Sequence, residues 1–215
     1  MKHRLRAAAI MAAAFFVAGT AAAQSRPAVV LTPASPARWD LAAHVGWLAA
    51  FTSESDPYGD DSYNAASGGI SLGRYLTPHL KTELRVAMNG EGTLYRHEVL
   101  PGVAPGFRTT EHHVKTASAD AGLLYQFFDN QWFHPYVGGG VEVLREKDRA
   151  TVLDGRVGTL TTLASDVSYT ARPFVATGFK WYVTERAFVR AGVQGSFSGR
   201  GTTHVTWAAA VGADL

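Results

Sequence analysis

The residues closest to a catalytic pattern stand near the end of the chain, where His204 and Thr206 are separated by one residue. On a β-strand, residues two apart point to the same face, so the imidazole and the hydroxyl would lie side by side. A hydroxyl activated by a neighbouring histidine is a known kind of nucleophile. No glutamate follows the pair before the chain ends. The sequence therefore predicts no catalytic residue.

Metal-binding patterns are equally weak. His112 and His113 are adjacent, so on a strand they point to opposite faces and do not chelate one ion together. The carboxylates of Asp56, Asp60 and Asp61 are of the type that ligates a divalent cation. A solvated polar loop is the simpler interpretation. We expect no metal site and no cofactor.

The composition excludes several classes of protein. The 215 residues are 47% hydrophobic and 11% aromatic, which is too apolar for a disordered chain. The chain contains no cysteine, so a disulfide scaffold, a thiolate metal site and a cysteine nucleophile are impossible.

The first 38 residues have the pattern of an export signal followed by a linker. Lys2, Arg4 and Arg6 precede an uncharged apolar run, and small residues up to Ala23 suit a cleavage site. We expect a signal peptide over residues 1–23 and a Pro-rich periplasmic lead-in over residues 24–38, because the apolar run is too short to cross a bilayer. Removing the three bases changes the net charge from +2 to about −1, so a nucleic-acid partner is not expected.

From residue 39 onward, apolar residues recur at every second position, as in β-strands with one apolar face. Between Trp39 and Phe51 the odd positions are apolar, whereas Asp40, His44 and Gly46 lie between them. No run of 18 apolar residues interrupts this pattern, so a membrane-spanning helix is not expected. Eight strands are predicted, the other seven at residues 66–76, 80–89, 116–127, 136–143, 167–181, 187–197 and 204–215.

The predicted connections alternate in length. Short turns at residues 76–79, 128–134 and 183–186 alternate with longer polar loops at residues 52–63, 90–109, 146–166 and 198–202. Three turns at one end and four loops at the other are expected for an eight-stranded antiparallel up-and-down β-barrel. Closure also removes free strand edges, whose backbone groups lipid cannot satisfy.

The two faces of these strands suggest which side meets lipid. At about 3.3 Å per residue and a tilt near 40°, the first strand rises roughly 30 Å, enough to cross a bilayer. The polar face is rich in small residues, as a narrow interior requires, whereas a soluble lipocalin-like barrel, the alternative, would carry many charges outside. The predicted fold class is therefore all-β, a transmembrane barrel over residues 39–215. An aromatic belt at the turn side is expected from Trp39, Tyr75, Trp132, Tyr136 and Trp181.

Charged residues of the polar face are expected inside the barrel. They should be paired, because an enclosed unpaired charge loses its hydration. We interpret them as a salt-bridged plug, since eight strands leave room only for side chains, and the alternative is a path for ions or solutes. This polar cluster consists of Lys81, Glu83, Arg85, Asp120, Glu142, Arg172, Lys180 and Arg190.

Three turn-and-strand segments resemble the small outer-membrane β-barrel proteins of Gram-negative bacteria, the group of OmpA-like and OmpW-like barrels. The segments are YLTPHL at residues 75–80, PYVGGG at 135–140 and RPFVATG at 172–178. The resemblance covers residues 39–215 and implies a location in the cell outer membrane. It also implies lipid, lipopolysaccharide and the barrel-insertion machinery as partners. One departure is the C-terminal residue, which is Leu215 where the family usually has an aromatic residue.

The resemblance leaves three functions open. The first is a structural or surface-interaction role, with the long loops as the contact surface for an unidentified ligand. The second is a narrow channel for ions or small solutes. The third is modification of lipid A, since some of these barrels carry a His-x-Ser pair near the last strand with a glutamate beyond it. Here Thr206 replaces that serine, and we expect the first function, without catalysis.

Overall fold

The computed structural model describes residues 39–51, 62–99, 107–154, 159–162, 165–198 and 203–215. The predicted signal peptide, the lead-in and the acidic segment at residues 56–61 lie outside the described residues. Within the described ranges, no helix is long and apolar enough to cross a membrane.

The described residues form one antiparallel sheet that closes on itself. Strand β1 (Trp39–Phe51) pairs with β2 (Ser62–Tyr75) on one side and with β9 (Thr203–Asp214) on the other. Eight strands make the closed wall, and among the described residues the short strand β6 (Thr159–Thr162) pairs only with the end of β5 (Phe133–Asp154). The predicted eight-stranded antiparallel barrel is therefore confirmed. The strands are β1 Trp39–Phe51, β2 Ser62–Tyr75, β3 Leu80–Val99, β4 Phe107–Gln126, β5 Phe133–Asp154, β6 Thr159–Thr162, β7 Asp166–Tyr182, β8 Ala187–Phe197 and β9 Thr203–Asp214.

The barrel closes with a register offset of ten residues. Starting at His44, the pairing partners through β2, β3, β4 and β5 lead to Thr170 on β7. In the other direction, through β9 and β8, they lead to Lys180 on the same strand. Such an offset in an eight-stranded barrel corresponds to a strand tilt of about 40° and a narrow interior.

Large apolar side chains face outward. Val45, Met88 and Val211 are 70%, 73% and 68% exposed, whereas Lys81 and Lys180 inside the barrel are 1% and 0% exposed. A charged interior and an apolar exterior are the reverse of a soluble barrel, so the wall is of the transmembrane type.

The outward apolar residues form a band around the barrel, which we call the apolar band. On β5 it runs from Val137 to Val143, both exposed, and Arg145 is the first charged outward residue beyond it. Three strands continue past this level, so the predicted loops at residues 90–109 and 146–166 are wrong over most of their length. β3 reaches Val99, and β5 reaches Asp154. Because these extensions carry polar residues on both faces, the regular alternation by which strands are recognised in a sequence is weak there.

The turn side of the band carries three of the five predicted belt residues on the outside. Trp39, Trp132 and Trp181 are 40%, 54% and 54% exposed. The other two, Tyr75 and Tyr136, point into the barrel, so their assignment to the belt is wrong. Both stand at positions whose strand parity is inward, as the alternating burial of β2 and β5 shows.

The ring of Tyr136 fits inside because two glycines make space for it. A Cβ atom added at Gly192 would lie 2.2 Å from the Tyr136 hydroxyl, and one added at Gly178 would lie 2.7 Å from it. These distances are far below van der Waals contact, so only glycine allows the ring to lie against β7 and β8. Tyr136 therefore belongs to the interior, although it lies near the end of its strand.

Candidate functional site in the barrel interior

The turn-side half of the interior is organised around Lys180. This fully buried ammonium donates to Asp214 Oδ1 at 2.7 Å, to the Tyr75 hydroxyl at 2.8 Å and to Asp40 Oδ2 at 3.3 Å. The ammonium also lies 3.7 Å from the centroid of the Phe188 ring, a cation–π arrangement. All three donor positions of the lysine are therefore used, and the group is held in place.

A second buried lysine links this site to the next layer. Lys81 Nζ lies 2.7 Å from Asp40 Oδ2 and 2.9 Å from Glu83 Oε2. Arg190 donates to Glu83 Oε2 at 2.5 Å and to the Ser71 hydroxyl at 3.1 Å. Three bases and three acids therefore balance in this layer, which we call the turn-side cluster. It consists of Asp40, Glu83 and Asp214 with Lys81, Lys180 and Arg190.

The half of the interior nearer the loops contains two further ion pairs, which we call the central cluster. Arg85 bonds Asp120 through both Nε and Nη2. Arg172 donates from Nε to Glu142 Oε2 at 2.5 Å, and its Nη2 lies 2.6 Å from His204 Nδ1. Each of these carboxylates is neutralised by a guanidinium on a neighbouring strand, which reduces the cost of enclosing it.

Between the two clusters the interior has little free space. A cavity of about 40 Å³ lies against His44, Arg85, Asp120, Tyr136 and Arg190. That volume accommodates water and no larger solute.

A larger cavity lies at the loop end of the described interior, above Arg172. Its volume is about 250 Å³, and the walls come from β1, β2, β3, β4 and β5. Leu94 and Val114 provide an apolar side, while Glu146 and Asp148 provide carboxylates. We call this space the mouth cavity.

His204 and the adjacent His112 and His113 each lie against other side chains of the barrel. His204 is 2% exposed and faces the interior, so it does not reach the lipid outside the wall. His112 lies 2.8 Å from Asp148, whereas His113 lies 2.9 Å from Glu91, so the neighbouring histidines have different partners. No group of three metal-ligating residues occurs in the described part of the chain.

All eight charged residues that the sequence assigned to the interior are found there, and the structure brings them together with others. Sequence reasoning missed Asp40 and Asp214 as ion-pair partners, and it missed the interior roles of Tyr75 and Tyr182. The Tyr182 hydroxyl donates to Asp214 Oδ2 at 2.5 Å. The signal was present, because Asp40 and Asp214 stand between outward-facing residues on β1 and β9. Their partners come from other strands, so pairing becomes visible only after closure.

Comparison with known proteins gives similarity at the level of the fold. No family model and no curated protein sequence matches the chain. Neisserial surface protein A has a structure with a TM-score of 0.50 and 18% identity, covering 82% of this chain and 97% of that one. OprG from Pseudomonas aeruginosa has a TM-score of 0.49 and 14% identity, covering 81% and 94%. Ail, the attachment invasion locus protein of Yersinia pestis, has a TM-score of 0.48 and 10% identity, covering 81% and 97%.

The chain has the fold of a small outer-membrane β-barrel. The similarity to Neisserial surface protein A extends over nearly all of that protein, and the apolar band is the exterior that a lipid environment requires. The protein accordingly has the architecture of an integral outer-membrane barrel, with its apolar band on the exterior.

Proposed function

We propose that the protein is a closed, non-catalytic outer-membrane barrel that serves as a rigid support for surface interactions outside the cell. The observation that carries this proposal is the network of ion pairs across the interior. Inside the barrel, at the height of the apolar band, five bases balance five acids among the described residues. The bases are Lys81, Arg85, Arg172, Lys180 and Arg190, and the acids are Asp40, Glu83, Asp120, Glu142 and Asp214.

This network supports a plug in preference to a channel. Each base is already bonded to a carboxylate, so a passing ion would have to displace a buried pair. The cavity between the clusters, about 40 Å³, offers no room for a hydrated solute beside these side chains.

The strand extensions support a surface role. β3, β4 and β5 remain paired beyond the apolar band, as far as Val99↔Phe107 and Arg108↔Asp154. Paired strands hold their side chains in place, so this region provides an ordered contact surface on the outside of the cell.

The arrangement gives little support to lipid A chemistry. His204 faces the interior and its Nδ1 lies against the Arg172 guanidinium, so it is not placed to activate a hydroxyl toward lipid. Thr206 lines the small cavity between the two clusters and therefore also faces away from the lipid.

We further propose that lipopolysaccharide is bound through a basic stripe directly beyond the apolar band. Arg145, Lys147 and Arg149 occupy alternate, outward positions on β5, and Lys115 stands opposite Lys147 in the register. Among the described residues, no acid pairs with the three β5 bases, whereas Lys115 lies 3.0 Å from Glu91. A row of bases at this height meets the phosphate groups of the outer leaflet.

Conductance of the purified protein in planar bilayers tests the closed barrel. We expect a silent trace at all voltages for the native protein. The Arg172→Ala, Arg190→Ala double variant removes one base from each cluster and should show measurable conductance, which also proves that insertion occurs. If the native protein conducted ions as well as the double variant does, the channel would be established instead.

Lipopolysaccharide retained during purification tests the basic stripe. The Arg145→Gln, Lys147→Gln, Arg149→Gln variant should retain several-fold less of it, with the difference shrinking as salt is raised. Arg186→Gln, a change in an exposed periplasmic turn, is the control. Equal retention by all proteins would rule out the stripe as the binding site.

A further inference from the structure

The mouth cavity has the properties of a ligand site that is separate from the ion-pair network below it. With a volume of about 250 Å³, it is large enough for a small molecule and not for water alone. Ala50, Leu94 and Val114 form its apolar side, and Val114 is only 4% exposed, within an apolar cluster that also contains Tyr63. An apolar wall beside a few convergent polar groups is the usual composition of a small-molecule site.

The polar side of this cavity carries hydrogen-bonding groups that lack protein partners. Tyr63 is 6% exposed, and its hydroxyl bonds to no group in the described part of the chain. Asp148 accepts at Oδ2 from the His112 ring, but its Oδ1 is buried without a partner. The Glu146 carboxylate makes no hydrogen bond or ion pair with any described residue. Buried polar groups left in this state cost free energy that a bound ligand can recover.

These groups lie around one cavity. Tyr63 interacts electrostatically with both Glu146 and Asp148, and the two carboxylates act on each other. All three residues line the same cavity. They offer three oxygen acceptors within it: a phenol oxygen and one oxygen from each carboxylate.

We propose that the mouth cavity binds a small primary amine in its ammonium form, with the charged end on Glu146, Asp148 and Tyr63 and a short apolar body against Leu94 and Val114. An ammonium group has three donors and no acceptor, which matches three unpartnered acceptor oxygens. A carboxylate with no base bonded to it supplies the charge that such a ligand needs.

Positive groups near the cavity do not oppose this assignment. His112 is already held by Asp148 Oδ2 at 2.8 Å, and Arg96 has an interaction of its own. Arg172, which lies below, bonds Glu142 and His204 and not Glu146. The unpartnered carboxylate oxygens can only accept hydrogen bonds, and the Tyr63 hydroxyl can accept as well as donate, so the wall favours a cation over an anion.

Binding of three small probes with the same carbon chain tests the charge of the ligand. The protein in lipid nanodiscs is titrated near neutral pH with n-butylamine, butyrate and butanol, and binding is followed by calorimetry and by NMR shifts of the cavity residues. We expect the ammonium to bind at least about tenfold more tightly than either of the other probes. Equal or tighter binding of butyrate would overturn the proposal.

Two variants identify the residues responsible. Glu146→Gln should weaken binding of the ammonium about tenfold or more, since it removes the counter-charge. Glu91→Gln makes the same chemical change at a similar height on the outer face, where Glu91 is bound by Lys115 and His113, and should leave the affinity unchanged. Equal losses in both variants would mean that the amine responds to general surface charge, and the site would be rejected.

Tyr63→Phe gives an independent measurement if Glu146→Gln does not fold, as judged by heat-modifiable migration. It removes one acceptor without changing charge and should weaken the ammonium a few-fold while leaving butanol unaffected. Unchanged ammonium affinity in this variant would also count against the proposal. These outcomes do not depend on conductance, so the site and the closed barrel fail or succeed separately.

Discussion

Lys180 Nζ lies 3.3 Å from Asp40 Oδ2, although the two residues are 140 positions apart in the chain. They stand on β7 and β1, which are not neighbours in the sheet, so the contact crosses the interior. It forms only when β1 and β9 pair and the barrel closes. The ion pairs between non-adjacent strands, Lys180–Asp40 and Arg190–Glu83, therefore report closure of the wall.

Replacement of Lys180 by methionine should destabilise the barrel strongly. The change leaves Asp40 and Asp214 with one fewer partner in a buried site, and breaking a buried pair of this kind costs about 3 kcal/mol or more. The measurement is the free energy of unfolding in urea from lipid vesicles. Arg186→Met, in an exposed turn, should change that free energy by about 0.5 kcal/mol or less, and a similar loss in both variants would contradict the role of Lys180.

Gly192→Ala should destabilise the protein because its new methyl group collides with Tyr136. The added Cβ would lie 2.2 Å from the tyrosine hydroxyl, 2.8 Å from the Thr177 carbonyl oxygen and 3.3 Å from the ring carbon that carries the hydroxyl. We expect a loss of about 1–3 kcal/mol in the free energy of unfolding.

Removing that hydroxyl in a Gly192→Ala, Tyr136→Phe double variant should restore part of the stability. Gly68→Ala is the matched control, since the nearest atom to its Cβ would be 3.7 Å away. Failure of the double variant to recover any stability would show that the loss comes from the Thr177 carbonyl oxygen and not from the Tyr136 hydroxyl.

All five tryptophans should be quenched by brominated lipids. Trp39, Trp47, Trp132, Trp181 and Trp207 are 40–54% exposed on the outer face. Trp47 and Trp207 are opposite each other within the apolar band, whereas the other three belong to the turn-side belt.

Single-tryptophan variants in vesicles would distinguish these depths. Bromine near the bilayer centre should quench Trp47 and Trp207 most, and bromine near the headgroups should quench the belt. Quenching that does not vary with bromine depth would be incompatible with this orientation of the wall.

Binding of an ammonium in the mouth cavity should weaken as the pH falls. Glu146 lies beyond the apolar band, and burial together with the neighbouring Asp148 carboxylate raises its pKa above the usual value. Since the ionised carboxylate binds the cation, affinity is lost as pH falls through that raised pKa, at a higher pH than for an ordinary glutamate. The groups that face this carboxylate are Tyr63, Arg96, His112, Asp148 and Arg172.

Titrations of n-butylamine between neutral and mildly acidic pH measure this effect. A His112→Gln variant removes the imidazole that lies 2.8 Å from Asp148, so the pH dependence that remains in this variant does not come from that ring. This variant should still lose affinity for n-butylamine as the pH falls, because Glu146 is unchanged. An affinity that does not change with pH in either protein would exclude an ionised Glu146 from the site.

The alternation of side chains in single strands made much of the barrel predictable from the sequence. Val45 and Val211 could be assigned to the lipid, and Lys81 and Arg190 to the interior, because orientation on a strand depends only on parity. The same parity indicates an interior position for Tyr136, whereas the abundance of aromatic residues near the turns carries no information on the direction of a side chain.

The strand extensions could not be predicted in this way. Residues around Lys115 and Arg149 meet water on the outside and a polar mouth on the inside, so hydrophobicity carries no period there. Their strand structure results from pairing with β strands that are already held by the barrel.

The alternation of apolar and polar residues and the spacing of the turns in the sequence thus determined which face of each strand meets lipid, the number of wall strands and the topology. The partners across the interior were decided by the tertiary structure alone. Lys180 meets Asp40, and Arg190 meets Glu83, because an offset of ten residues brings particular levels of non-adjacent strands together. The inward or outward direction of a side chain is a property of one strand, whereas the register offset is a property of the closed sheet. The offset also determines the space at the mouth beside Glu146 and Tyr63.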